Sequence, residues 1–119
     1  MISEVIKEFC NQYGLQGVSM EEGGTLRLSI EGIGELQFLH QKKTLLVGLT
    51  RKIENFYLFS GQKILAMCHY KEPHFHPLHA QIKDDTLGIF YLFDENEVTA
   101  ALLSQALDTL TETMDKALA

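Results

Sequence analysis

The sequence predicts an α+β fold in which a helix is followed by three antiparallel strands, a second helix, two more strands and a closing helix. Apolar residues recur at helical spacing near both ends of the chain, and they alternate with polar residues in the segments between. Both prolines lie together in a short stretch after the second predicted helix, as expected for a loop. A chain of 119 residues matches one domain, and we therefore expect a single domain over residues 1–119.

The first helix is predicted from Ser3, which can cap it, to Gly14, which can supply the left-handed residue at its end. Its apolar stripe comprises Ile2, Val5, Ile6, Phe9, Cys10 and Tyr13. The next three segments, residues 25–30, 34–39 and 44–50, are predicted as strands. The connections between them are short enough for hairpins, so an antiparallel meander is expected.

The second helix is predicted over residues 54–69, where Gly61 weakens its middle. Its apolar residues are Phe56, Tyr57, Phe59, Ile64, Met67 and Cys68. Strands are predicted at residues 78–83 and 86–93, and the second of these is apolar on both faces. Since an antiparallel sheet in a small protein normally leaves one face in water, this strand indicates that a second subunit covers it.

The closing helix has two possible starts, a capping box formed by Asp94 and Glu97, or Thr99 a few residues later. Its apolar stripe comprises Val98, Leu102, Leu103, Ala106, Leu107, Leu110, Met114 and Leu118. A stripe of this kind is typical of a helix packed on a core.

Charge and composition narrow the possible partners. The formal net charge of -6 repels phosphate backbones and anionic membranes, so nucleic acid is not expected as a partner and no stable insertion into a membrane is expected. The N-terminal residues include Glu4, Lys7 and Glu8 and have no basic start followed by an apolar run. No signal peptide or membrane span is therefore predicted, and the protein is expected in the cytoplasm.

A cluster of metal-ligating residue types lies in the second half of the chain. It comprises Cys68, His69, His74, His76 and His79. Imidazole and thiolate are ligands that zinc prefers, but no regular spacing here completes a tetrahedral set. A solvated polar loop is therefore the favoured interpretation, with no metal, no cofactor and no catalytic residue. A small zinc or thiol enzyme built on this cluster is the alternative.

Four segments resemble a known family. The sequence of residues 2–15, ISEVIKEFCNQYGL, is similar to the opening helix of type III secretion chaperones, in particular the SycN family. GELQF at 34–38, TLLVGLTR at 44–51 and LLSQALDTL at 102–110 resemble the sheet and closing helix of that family. The resemblance depends on the Phe9-Cys10 pair, the order of elements, the small size and the acidic charge together. Residues 70–79 do not resemble the family pattern.

The resemblance implies a dimeric class I chaperone with the CesT/SycE-like fold, which is not an enzyme. SycN-like members pair with a small co-chaperone of the YscB type and hold the N-terminal region of a YopN-like gatekeeper of secretion. They act in the bacterial cytoplasm, with recruitment to the inner face of the secretion apparatus as a further expectation. The implied dimer uses the second helix and the neighbouring sheet, with Phe56, Phe59, Ile64, Met67, Ile89 and Tyr91 as interface candidates.

The cargo-binding candidates are Phe9, Leu36 and Phe38, for which plain core residues are an equally weighted interpretation. Three other functions stay open at this point. The chain can be a homodimeric chaperone for a secreted effector, the small enzyme described above, or a structural or regulatory subunit of a larger assembly.

Overall fold

A computed structural model describes residues 2–15, 24–54 and 76–119. The elements within these residues are α1 (Ile2–Gln12), β1 (Thr25–Ile30), β2 (Gly34–Gln41), β3 (Thr44–Lys52), β4 (His79–Lys83), β5 (Thr86–Asp94), a 3₁₀ turn (Glu95–Glu97) and α2 (Ala100–Ala117). The helix predicted at residues 54–69 lies outside the described residues except for Glu54. The α+β class and the order of all the other elements are confirmed.

The five strands form one antiparallel sheet in the order β1-β2-β3-β5-β4. Strand β5 thus lies in the interior of the sheet, between β3 and β4. β2 extends two residues beyond its predicted end, because the β2–β3 hairpin closes in two residues and Gln41 still pairs with Thr44. β3 also extends two residues beyond its predicted end, because Arg51 and Lys52 pair with β5. Lys42 takes a positive φ of 53° in this turn, which accounts for the tight connection.

Both helices pack on one face of the sheet, here called the inner face. Its buried residues are Leu36, Phe38, Leu45, Val47, Leu49, Leu87, Ile89, Tyr91 and Phe93. α1 contributes Ile2, Ile6, Phe9 and Cys10 to this core, and α2 contributes Leu103, Ala106, Leu107, Leu110 and Met114. The rings of Phe9 and Phe38 meet edge to face at 5.8 Å. Most of each predicted apolar stripe is therefore buried in this core. The exceptions include Tyr13, which is exposed, and Val98, which lies before α2 and not within it.

The chain uses both of the start signals predicted before the closing helix. Asp94 and Glu97 form the capping box of the 3₁₀ turn, where the Asp94 side chain accepts from the Asn96 N–H at 2.9 Å. Thr99 then caps α2 itself, and its Oγ1 accepts from the Leu102 N–H at 3.1 Å. Val98 is extended between the two turns, so the chain changes direction before the long helix begins.

Polar contacts tie α2 and its connection to the sheet. The Glu95 N–H donates to the Lys43 carbonyl at 2.9 Å, at the end of the β2–β3 hairpin. The Tyr91 hydroxyl donates to Thr109 Oγ1 at 3.1 Å near the middle of α2. Towards the C-terminal end of α2, Arg51 Nη1 donates to Asp115 Oδ1 at 2.8 Å, and Arg51 Nε donates to the Ile33 carbonyl at 2.8 Å.

Candidate binding surfaces

The face of the sheet opposite the helices is here called the outer face. It carries the side chains that alternate with the buried ones along each strand. A groove of about 610 Å³ crosses it from β1 to β4. Side chains lining this groove include Arg27, Gln37, Leu39, Leu46, Lys83 and Phe90.

Two glycines, Gly48 on β3 and Gly88 on β5, line the groove without a side chain. A Cβ at Gly48 would lie 3.2 Å from the Cβ of Phe90, its cross-strand partner, so the sheet itself favours glycine there. A Cβ at Gly88 would meet Thr50 Cγ2 at 3.4 Å, an ordinary contact. Glycine in a strand interior weakens the strand and often marks a place where another chain approaches closely. The fold therefore does not require Gly88, and the open space beside it is available for binding.

The apolar part of the outer face lies towards the C-terminal end of β5. Leu92 is 47% exposed, and Leu39, Leu46 and Phe90 are half-buried. The His79 ring stacks on Phe90 at 5.3 Å with an interplanar angle of 20°. The other face of β5 is buried against the helices, so the strand carries apolar side chains on both faces. Cover of the outer face by a second subunit stays a prediction.

The polar part of the outer face lies on β1, β2 and the end of β4. Gln37 Nε2 donates to Glu35 Oε1 at 2.8 Å, and Arg27 Nε lies 4.0 Å from the same oxygen. Lys83 lies at the opposite side of the groove from Arg27. The surface thus combines exposed leucine with hydrogen-bonding groups, which suits the binding of a polypeptide segment.

The three predicted cargo-binding residues lie in the core. Phe9, Leu36 and Phe38 are 1%, 0% and 0% exposed. Their side chains contribute to the packing of α1 on the sheet, which is the core interpretation left open above. The exposed aromatic beside them is Tyr13, 44% exposed, with its ring 4.9 Å from that of Phe9. A contact between cargo and the three buried side chains would require α1 to move, and it stays a prediction.

Two of the predicted interface residues, Ile89 and Tyr91, also lie on the inner face and are 1% exposed. Side chains two residues apart on a strand share a face, so Ile89 and Tyr91 lie on the same buried face of β5. The other candidates, Phe56, Phe59, Ile64 and Met67, lie outside the described residues. Leu92 was not selected as a candidate from the sequence, although it belongs to the second apolar set in the alternating pattern of β5.

Of the predicted histidine and cysteine cluster, the structure describes His76 and His79. His76 Nε2 lies 3.0 Å from the Leu92 carbonyl oxygen, and the His76 ring is 4.7 Å from that of Phe93. Cys68, His69 and His74 lie outside the described residues. Within residues 2–15, 24–54 and 76–119, no group of three His, Cys, Asp or Glu side chains is placed to hold a metal ion.

Cys10 lies on the buried face of α1 with 0% exposure. Burial raises the pKa of its thiol, because desolvation disfavours the thiolate. A buried thiol of this kind packs as a small apolar group and is unreactive, because the thiolate is the nucleophilic form.

Comparison with known families decides the identity of the fold. A family model described as the type III secretory system chaperone SycN matches residues 1–118. The chain belongs to the SycN family of type III secretion chaperones. The family is one of chaperones, and the resemblance noted from the sequence is confirmed.

Solved structures show the same fold as this SycN-family chain at low sequence identity. The Yersinia pestis type III secretion chaperone SycH in complex with a stable fragment of YscM2 gives a TM-score of 0.75 at 17% identity, covering 98% of this chain and 99% of that one. The HopA1-SchA chaperone-effector complex gives 0.77 at 12%, covering 98% and 91%. The heterodimeric ExoU-SpcU complex of Pseudomonas aeruginosa gives 0.66 at 20%, covering 95% and 94%.

Two further findings complete the comparison. No curated protein sequence shows significant similarity to this SycN-family chain. Among the described residues, neither helix combines the length and the apolar character needed to span a bilayer.

Proposed function

We propose that this SycN-family chain is a cytoplasmic type III secretion chaperone that holds an extended segment of a secreted protein across its outer face. The observation that carries this proposal is the open groove across the outer face, together with exposed Leu92, which lies next to it as the cross-strand partner of the lining residue Leu46. An exposed apolar surface rimmed by polar groups is typical of an interaction site. Membership of a chaperone family supports a polypeptide as the ligand.

The size of the outer face fits an extended segment. Crossing five strands at about 4.8 Å per interval spans about 19 Å, the length of roughly six extended residues. Half-buried Phe90 and Leu46 offer apolar contacts along this path, and Gln37 and Gln81 offer hydrogen bonds. Ordering a flexible segment is unfavourable, so a binding surface of this length offsets the entropy better than a single small pocket.

The specific partners follow from the resemblance to SycN. The proposed co-chaperone is a small protein of the YscB type, and the proposed cargo is the N-terminal region of a YopN-like gatekeeper. The pair would keep this cargo stable and competent for secretion at the inner face of the apparatus. The runner-up is a homodimer that serves a secreted effector. Neighbours of the same fold in chaperone-effector and heterodimeric complexes support the class of function without choosing between the two.

A pull-down from native cytosol, followed by mass spectrometry and light scattering, tests the partners. We expect the chain to elute with a second small protein and a secreted protein, because its exposed Leu92 and Ile82 suit an assembled state. Recovery of two copies of this chain bound to a secreted effector, with no second small chaperone, would support the homodimer. A well-behaved monomer that gains no partner on co-expression would contradict the proposal.

The substitution Gly88→Val tests the outer face. Its branched side chain would occupy the space beside the β5 backbone, so we expect retention of cargo to fall at least about tenfold, a loss typical of a central contact. Valine favours strands, so we expect the free energy of unfolding to stay within about 1 kcal/mol of the wild type. Retention is measured by co-purification, and stability by urea unfolding.

Ser29→Val is the matched control for Gly88→Val. Ser29 is exposed on β1, shares the outer-face parity of Arg27, and lies outside the lining of the groove. A valine introduced there should leave cargo retention unaltered. Equal retention by the wild type, Gly88→Val and Ser29→Val would exclude the groove as the binding surface.

A further inference from the structure

The polar lining of the outer-face groove consists largely of neutral hydrogen-bonding side chains. They are Thr25, Gln37, Thr50, Gln81 and Thr86. Amide and hydroxyl groups are matched to the N–H and C=O groups of a peptide backbone, which are the same for every residue except proline. This part of the lining therefore suits a feature of the ligand that does not vary with its sequence.

The charges in the groove lining cancel one another. Among the described residues that line it, Arg27 and Lys83 are positive, and Glu35 and Asp84 are negative. Arg27 Nε lies 4.0 Å from Glu35 Oε1, so one opposite-charge pair already lies within the protein. The whole chain has a formal net charge of -6, but the groove offers no net charge to complement a charged ligand. An uncharged ligand is the one that matches it.

Two glutamines in the groove each lie opposite a glycine. Gln37 on β2 is the register partner of Gly48 on β3, and Gln81 on β4 is the register partner of Gly88 on β5. Neither glutamine therefore meets a side chain directly across that pair of strands. The Gln81 side chain is exposed and makes no hydrogen bond to another described residue. Gln37 Nε2 uses one N–H for Glu35, which leaves a second N–H and the carbonyl oxygen for a ligand.

Gly88 leaves a path for a backbone beside Gln81. Thr50 and Gln81 lie on either side of Gly88 in one cross-strand row, about 10 Å apart at two strand spacings. An atom in place of the missing Cβ would lie 3.4 Å from Thr50 Cγ2 and 3.8 Å from the Gln81 carbonyl oxygen. Since no side chain stands between the two residues, an extended backbone can lie over Gly88 within reach of both.

We propose that the groove recognises its cargo through the peptide backbone, with Gln37 and Gln81 as the residues that hydrogen-bond to it. The class of ligand is an extended, uncharged segment whose apolar side chains contact half-buried Leu46 and Phe90. The order of residues within such a segment is largely free. This inference rests on the proposed function, because it specifies how the same groove selects its ligand.

Three synthetic peptides test the proposal on the isotope-labelled full chain. The first is a capped peptide of about eight alternating serine and leucine residues, slightly longer than the groove. The second has the same residues in another order. The third replaces alternate peptide bonds of the first by esters, which removes N–H donors and keeps the side chains. In nuclear magnetic resonance titrations, the amide signals of Gly48 and Gly88 report binding, and the signal of Gly32, outside the groove lining, is the reference.

Backbone recognition predicts different affinities for the three peptides. We expect the first two to bind within about threefold of each other and the ester form at least about tenfold more weakly, because each lost hydrogen bond lowers affinity severalfold. Because the groove lining has no net charge, raising the salt concentration should change these affinities less than about twofold.

The variants Gln37→Leu and Gln81→Leu test the two glutamines. Leucine is similar in size but cannot hydrogen-bond, so each variant should bind the first peptide about fivefold more weakly, although its groove is more apolar. Gln41→Leu is the matched control, because Gln41 is exposed on β2, shares the outer-face parity of Gln37 and lies outside the groove lining. Its affinity for the peptide should equal that of the wild type.

The possible outcomes separate this inference from the proposed function. Equal affinity for the amide and ester peptides, or unchanged or tighter binding by both groove variants, would show that apolar side chains hold the cargo. Either result would overturn the inference and leave the groove as the binding surface. If the Gly48 and Gly88 signals respond to none of the peptides, the proposed function fails together with the inference.

Discussion

Replacing Phe38 with alanine should lower the free energy of unfolding by about 3–5 kcal/mol, the usual effect of removing a buried phenylalanine ring. Phe38 is 0% exposed and contacts the ring of Phe9, so its loss leaves a cavity between α1 and β2. Phe9→Ala should have an effect of the same size, because it removes the other side of this contact. Urea unfolding followed by circular dichroism measures both changes.

Tyr13→Ala is the matched aromatic truncation at the surface. Its ring also packs on Phe9, but it is 44% exposed, so we expect a loss of only about 1 kcal/mol. The same three variants also distinguish a core role of Phe9 and Phe38 from a role in cargo binding. Loss of cargo retention with little change in melting for Phe9→Ala and Phe38→Ala would show that these residues form a groove and are not core.

The second large effect is expected at Gly34, at the start of β2. Its φ of +137° is a conformation that side-chain-bearing residues rarely adopt, and an added Cβ would collide with the carbonyl oxygen of Thr50 on β3. The obstacle is backbone, which cannot rotate away as a flexible side chain can. Gly34→Ala should therefore lower the free energy of unfolding by about 3 kcal/mol or more, through strain and displacement of the β2–β3 ladder.

Gly32→Ala is the control for Gly34→Ala in the same hairpin. Gly32 also has a positive φ, 79°, but an added Cβ there meets no atom within 4 Å. The free energy of unfolding should fall by about 1–2 kcal/mol, which is the cost of placing alanine at a positive φ without a steric collision. Equal losses for the two variants in thermal or urea unfolding would show that the collision with Thr50 is relieved at little cost.

The helices and strands were predictable from the sequence where a single local pattern, helical spacing or alternation, determines the structure. Helical spacing identified the buried face of α1, and alternation identified the buried set on β2 with Phe38 as a member. The exact strand ends were not predictable, since the end of β2 depends on the positive φ of Lys42 in the hairpin and the end of β3 depends on its pairing with β5. The interior place of β5 also required the structure, because pairing between β3 and β5 joins segments far apart in the chain.

The candidate surfaces were less predictable than the fold. Alternation divides β5 into two sets of apolar residues, but it does not say which set the helices cover. The larger set, including Ile89 and Tyr91, is buried, and the smaller set, including Leu92, faces outward.

The late position of α2 in the chain affects the order in which the protein can fold during synthesis. The β1–β2–β3 meander contains only neighbouring pairings, so it can form while later residues are still being translated. β3 pairs with β5 and contacts α2, and the ribosome adds both of these elements after β3. Until then the nascent sheet presents an apolar surface that can associate wrongly with other chains. Slow translation of residues 76–117 should therefore increase aggregation of the newly made protein.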